Sequence, residues 1–174
     1  MHRLILLRHA KSDWPAGVAD HERPLNGRGR RGAPLIGGAM AERGYVPERA
    51  LVSSARRTQE TWALAKAAGR TLPEGSEDAR LYHASVGMLM AVIGQTPEEI
   101  KSLALVGHNP GLEALAGSLV AEGPLIERQR VSTKYPTGGL AVIDCDIAAW
   151  RDIRPKCGTL IAFISPRDLD AGAE

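Results

Sequence analysis

Two imidazoles stand out because each directly follows a hydrophobic run. Leu4-Ile5-Leu6-Leu7 ends in Arg8-His9, and Leu103-Ala104-Leu105-Val106 ends in Gly107-His108-Asn109-Pro110. A third short run closes in Ser53-Ser54, just before Arg56 and Arg57. A neutral imidazole can act as a nucleophile or a proton carrier, and a guanidinium is a rigid bidentate ligand for oxyanions. These types together point to chemistry on an anion, and the anion inferred is a phosphoryl group with His9 as its acceptor. Arg56 and Arg57 sharpen the inference. They fall in the first turn of an expected helix, where the helix dipole disfavours a cation by about 0.3–1 kcal/mol each. A bound phosphate would turn that repulsion into attraction. Singly, each residue has a plainer reading, a hydrogen-bonded structural histidine or a solvated arginine. Their joint placement at strand ends favours a site.

The elements that must position these residues follow from the pattern. Arg3–Arg8 reads as a strand buried on both faces, because its apolar residues are continuous rather than alternating. Residues 10–27 form a long polar loop of the length that usually carries function. A helix is expected over 28–43, with Ala33, Ile36 and Met40 on one face. A strand over 50–53 leads to a helix that Ser54 would cap and Gly69 would close. A strand-like or irregular piece spans 77–82. The next helix carries a stripe of Val86, Leu89, Met90 and Ile93. After the strand at 102–107, Asn109 is expected to cap a helix with Pro110 as its first residue. Residues 124–137 read as basic and irregular, and two final strands lie near 139–144 and 159–164. Repeated strand–helix units predict a three-layer α/β/α sandwich around a mostly parallel sheet, with an antiparallel strand in the last pair. In such sheets ligands bind outside the carboxyl ends of the strands, where Arg8-His9, Ser53-Ser54 and Gly107-His108 all fall. One domain, 1–167, is expected, with a C-terminal tail over 168–174.

Composition bounds the function. The 174 residues carry 22 basic and 20 acidic side chains, so the formal charge is only +2 and an anion preference must be local. No apolar run approaches the ~20 residues of a membrane span. The apolar stretch at the start is too short for a secretory signal, which makes a cytoplasmic location the expectation. Neither a membrane nor nucleic acid is an expected partner; aromatic content of 4% offers little stacking surface to bases. Gly27-Arg28-Gly29-Arg30-Arg31-Gly32 matches a dinucleotide-binding pattern, but it follows a loop rather than a strand and is read as a false match. Cys145 and Cys157 are taken as buried free thiols without function.

Leu7-Arg8-His9-Ala10-Lys11-Ser12-Asp13-Trp14 resembles the Arg-His-Gly motif of the histidine phosphatase superfamily, which includes the cofactor-dependent phosphoglycerate mutases. Ser53-Ser54-Ala55-Arg56-Arg57-Thr58-Gln59-Glu60-Thr61 resembles that family's second motif, an Arg followed four residues later by Thr, a register that selects Arg57. Gly107-His108-Asn109-Pro110 is similar to its second histidine motif. The short chain and the stretch Asp20-His21-Glu22-Arg23-Pro24-Leu25-Asn26 look most like the small bacterial phosphohistidine phosphatases. The resemblance implies a phosphoglycerate mutase-like fold and a phosphohistidine intermediate on His9. It also implies a clamp of Arg8, Arg57 and a protonated His108 around the phosphoryl oxygens. Lys11, Ser12, Arg23 and Asn109 are the expected substrate-binding residues, and neither metal nor other cofactor is expected.

The sequence departs from the family at four points. Ala10 replaces the glycine after the first histidine, and Pro15 stands where many members have a phosphate-holding asparagine. The proton-donating Glu of the mutases has no counterpart between Arg80 and Ala84, and Asn109 replaces the Asp of the acid-phosphatase branch. His83 and Glu77 are the remaining candidates for an acid. Without a strong acid, an imidazole leaving group suits the site better than an alkoxide, because its conjugate acid has a pKa of about 6.5. The expected partner is therefore a phosphorylated protein of the histidine-phosphotransfer type. The alternatives are a small phosphorylated metabolite as substrate, or a non-catalytic phospho-binding module.

Overall fold

The first apolar run forms β1 (His2–Arg8), and its side chains divide cleanly between two cores. Leu4 and Leu6 pack on one side of the sheet and Ile5 and Leu7 on the other, all essentially inaccessible to solvent. A strand buried on both faces needs a layer of helices on each, and the chain supplies them. In this computed structural model, which describes residues 1–170, the order is β1, α1 (Gly27–Glu42), β2 (Arg49–Val52), α2 (Arg56–Ala68), β3 (Gly75–Glu77), α3 (Val86–Gly94), β4 (Ser102–Gly107), α4 (Gly111–Leu119), β5 (Val120–Glu122), α5 (Leu125–Thr133), β6 (Leu140–Cys145), β7 (Gly158–Ile164) and α6 (Pro166–Asp170). Ile36 and Met40 of α1 and Trp62 and Ala65 of α2 cover one face of the sheet. Leu89, Val92 and Ile93 of α3 and Leu112, Leu115 and Leu119 of α4 cover the other.

The seven strands lie in the order β3-β2-β4-β1-β6-β7-β5. The ladders of β1 with β4, β2 with β4, β2 with β3 and β5 with β7 are parallel; β6 runs against both of its neighbours. The architecture is the expected three-layer α/β/α sandwich with a mostly parallel sheet. Because β2, β4 and β1 are adjacent and parallel, their carboxyl ends share one edge. The register is level across it: Val52 and Leu7 both pair with Val106, and Arg8 pairs with Gly107.

Several local expectations are corrected. Ser54 does not cap α2; Ala55 holds that position, and the Ser54 hydroxyl hydrogen-bonds His21 Nε2 at 2.9 Å. Pro110 occupies the cap of α4 rather than its first turn, while Asn109 Oδ1 still accepts from the Glu113 N–H at 3.2 Å. The stretch read as irregular over 124–137 contains α5. Only Val131 of that helix is buried, so it has no apolar stripe to read. Strand β3 ends where the irregular 77–82 piece was placed, and a single 3-10 turn, Ala79–Leu81, follows it. The first three residues of the expected tail over 168–174 are helical instead: Asp168 lies in α6 and its carboxylate pairs with Arg130 at 2.6 Å. Residues 171–174 lie outside the described residues. Cys145 and Cys157 are both buried and unbridged.

The glycines of the false dinucleotide pattern serve packing. A Cβ on Gly29 would lie 2.0 Å from the Lys11 carbonyl oxygen, so only glycine lets α1 approach the loop that follows β1. Asn26 caps the same helix by accepting from the Gly29 N–H at 2.9 Å, and its own N–H donates to the Lys11 carbonyl at 3.0 Å.

Candidate active site

At the shared carboxyl edge, consecutive residues of adjacent strands bring the two imidazoles together. His9 follows Arg8 on β1 and His108 follows Gly107 on β4. Their ring centroids are 5.3 Å apart, with the planes inclined at 52°. An open cleft of about 260 Å³ lies over them, lined by Arg8, His9, Lys11, Ser12, Trp14, Asp20, Arg23, Arg57, His83, His108, Asn109 and Thr137. All eight residues expected to act or bind are therefore in one lining.

His9 is buried, and its Nδ1 lies 2.7 Å from the carbonyl oxygen of Ala10. A carbonyl can only accept, so Nδ1 carries the proton and Nε2 keeps its lone pair. Burial, with added repulsion from Arg8, Arg57 and Arg23, pushes the His9 pKa down to about 4. The ring is neutral near pH 7, as an attacking nitrogen must be. Thr61 explains the spacing of the second motif. Its hydroxyl donates to the Arg57 carbonyl at 2.7 Å and accepts the Ala10 N–H at 3.0 Å, which ties the backbone beside His9 to α2.

Arg57 is buried in the first turn of α2, while Arg56 is exposed and reaches only Glu60 at 3.4 Å. The Arg57 guanidinium donates to the Asp20 carbonyl at 2.7 Å and to Asp20 Oδ2 at 3.1 Å. Arg8 donates to the carbonyl of Tyr135 at 2.9 Å, and burial lowers its pKa from the usual guanidinium value. Among the described residues, four buried side-chain nitrogens lack a partner, and three of them belong to Arg8, Arg57 and His108.

His108 departs from expectation in charge. Its Nε2 hydrogen-bonds the Ser53 hydroxyl at 2.8 Å, and burial together with His9 and Arg57 pushes its pKa down to about 3. In the free protein this ring is neutral rather than protonated, because burial and the repulsion of His9, Arg57 and His83 outweigh the opposing pull of the Asp20 carboxylate. Asn109 is partly committed: its amide donates one N–H to the Tyr135 carbonyl at 3.0 Å and its oxygen accepts from the Glu113 N–H at 3.2 Å, which leaves one amide N–H unassigned at the lining. Ser12 is buried and accepts from Arg23 Nη2 at 2.7 Å, and Lys11 is exposed at the rim. Of the two candidate acids, His83 lines the cleft, whereas Glu77 sits exposed at the end of β3, outside the lining.

Sequence reasoning missed Asp20 and Tyr82 as members of the site. The Asp20 carboxylate accepts from Arg23 at 3.0 Å, Arg57 at 3.1 Å and the Tyr82 hydroxyl at 2.5 Å. These bonds, that from Tyr82 foremost, hold its pKa well below the usual carboxylate range. The only sequence signal was Asp20's position in the loop beside Arg23. Among the described residues no group of three or more His, Cys, Asp or Glu side chains is placed to hold a metal ion, and no helix is long and apolar enough to cross a membrane.

A histidine-bearing, arginine-rich cleft at the carboxyl edge of an α/β/α sheet defines a class of oxyanion-handling proteins. Residues 4–124 match the profile of the histidine phosphatase superfamily (branch 1), and the chain belongs to that superfamily. It is 36% identical over 163 residues to Rv1276c of Mycobacterium tuberculosis, covering 92% of this chain and all of that one. A solved structure of SixA from Agrobacterium tumefaciens, described there as a candidate phosphohistidine phosphatase, is 31% identical. It superposes with a TM-score of 0.79 over 95% of this chain and 98% of that one. The corresponding SixA candidate from Nakamurella multipartitia is 25% identical, with a TM-score of 0.80 over 95% and 96% of the two chains.

Proposed function

We propose that this protein is a phosphatase that takes a phosphoryl group onto His9 and releases it to water, with phosphohistidine on a protein as its substrate. One observation carries the reading: His9 is held neutral, its Nδ1 proton fixed on the Ala10 carbonyl, in a cleft lined by four cationic side chains. Nε2 attacks phosphorus in line as the bond to the leaving group breaks. Arg8, Arg23 and Arg57 stabilise the charge spread over the phosphoryl oxygens. His108 takes up a proton as the anion arrives and adds a fourth contact.

The leaving group follows from the missing acid. Asp20 is ionised and engaged by three donors, so it holds no proton to give to an alkoxide. Imidazole departs from phosphohistidine without such help. The SixA-like neighbours support the same reading. One observation favours an ester substrate instead: His83 stands at the cleft mouth, 3.9 Å from Asp20 Oδ2, where a protonated ring could serve as an acid. The test has two parts. Labelled phosphate should be trapped on His9 and lost in His9→Ala, which separates an enzyme from a binding module. A phosphohistidine-bearing phosphotransfer domain should be hydrolysed faster than p-nitrophenyl phosphate and common metabolite esters; the reverse order would refute the substrate assignment.

A further inference from the structure

Asp20 contributes the one carboxylate in a lining that otherwise offers cations and neutral groups to an anion. An ionised carboxylate has about four acceptor positions. Arg23, Arg57 and Tyr82 occupy three of them, and the side chain remains 40% exposed. One acceptor position therefore remains unfilled on an exposed side chain that lines the cleft. Position along the cleft matters equally. His9, Arg57 and Arg23 are buried at the floor, while Asp20, His83 and Trp14 carry the exposed surface at the mouth. In-line attack from His9 sends the leaving group away from the floor, toward that mouth.

Resting on the phosphatase reading above, we infer that Asp20 is the specificity-determining residue of the site. Its free acceptor position takes a hydrogen bond from the N–H of a protonated leaving imidazole. In the step this implies, the substrate ring carries phosphorus on one nitrogen and a proton on the other. The His9 Nε2 lone pair forms the new N–P bond, and the old N–P bond breaks with its electron pair passing into the ring. The ring, cationic beforehand, leaves as neutral imidazole and needs no proton at the departing nitrogen. A carboxylate beside the second nitrogen stabilises the cationic reactant ring in the protonation state that departs most readily. The same carboxylate disfavours an ester, whose leaving oxygen gathers negative charge. Arg23 and Arg57 face Asp20 from below, and Tyr82 and His83 face it from the segment after β3. Tyr82 donates rather than accepts, so it does not compete for a substrate N–H.

Asp20 also steadies two arginines, so its loss slows every substrate; the informative quantity is a ratio. The values of kcat/KM for free phosphohistidine and for p-nitrophenyl phosphate are measured in the wild type, Asp20→Asn and Asp20→Ser, each confirmed folded by thermal melting. The phosphohistidine-to-ester ratio should fall about tenfold or more in both variants, the size of one lost charge-assisted hydrogen bond. In Tyr82→Phe, which keeps the charge and frees another acceptor position, the ratio should hold or rise. Equal losses on both substrates would make Asp20 a positioning residue only, overturning this inference while leaving the phosphatase reading intact. A wild type that prefers the ester would defeat that reading itself, and this inference with it.

Discussion

The guanidinium carbon of Arg23 lies 3.2 Å from the ring centroid of Trp14. An indole exposed over 74% of its surface thus covers a cation that is only 6% exposed. Three of the five N–H groups of that guanidinium donate to the Asp13 carbonyl, Ser12 and Asp20. Trp14→Ala should raise KM about two- to fivefold with little change in kcat, the range expected for one exposed cation–π contact. Trp14→Phe should retain most of the affinity. Steady-state kinetics on both variants checks this, and an unchanged KM in Trp14→Ala would show that the stack does not hold Arg23 for substrate.

The two adjacent arginines of α2 should behave very differently. Arg57→Ala removes a buried guanidinium from the cleft and should lower kcat/KM by about 10²- to 10³-fold, as losing one preorganised charge contact does elsewhere. Arg56→Ala removes an exposed side chain paired only with Glu60 and should change it less than twofold. Comparable losses at both positions would contradict the geometry.

Stability should depend on the two buried imidazoles in a defined direction. Folding pushes His9 down to about 4 and His108 down to about 3, against about 6.5 unfolded. Between those values the unfolded chain binds more protons than the folded one. The stability is therefore fully present above pH 6.5 and lost as pH falls toward 4, by on the order of a few kcal/mol. Melting temperatures across pH 4–7 should show this slope, and His108→Asn should flatten it. Tungstate, a phosphate-like oxyanion, should also reduce the slope, because a bound anion raises the His108 pKa and lets the folded state take up the proton.

Two glycines of α1 give opposite expectations from the same substitution. Gly29→Ala would place a methyl group 2.0 Å from the Lys11 carbonyl, backbone against side chain with no flexible neighbour to yield. A loss of roughly 1–3 kcal/mol and lower activity should follow, since Lys11 belongs to the cleft loop. Gly38→Ala meets nothing within 4 Å and should stabilise the helix by about 0.5–1 kcal/mol. Chemical denaturation of the two variants checks both signs.

What the sequence made legible follows a physical divide. Arg8, His9, Arg57 and His108 were readable because each sits at a fixed offset from a buried strand or in the first turn of a helix. Local pattern is enough to place such residues. Asp20 was not readable, because its partners lie 3, 37 and 62 residues away and nothing periodic links them. The second duty of Asn109 was hidden for a related reason: its bonds to the Tyr135 carbonyl and the Glu113 N–H depend on segments that no local pattern ties to it. The charge of His108 required its surroundings. Helix α5 escaped because a single buried residue, Val131, leaves no face to detect. The sheet order was open to expectation only in outline, since β5 is three residues long and its pairing with β7 is set by tertiary contact.

The ladder that pairs Arg8 with Gly107 has a consequence for how such a site can change. Strands in a sheet are about 4.8 Å apart, so the separation of the two imidazoles is inherited from backbone spacing rather than negotiated by loops. No closing motion is needed to assemble them. The groups at the mouth, by contrast, hang from connecting segments that tolerate insertion and replacement. The periphery can then be rewritten while the paired imidazoles stay anchored at the ends of the central strands.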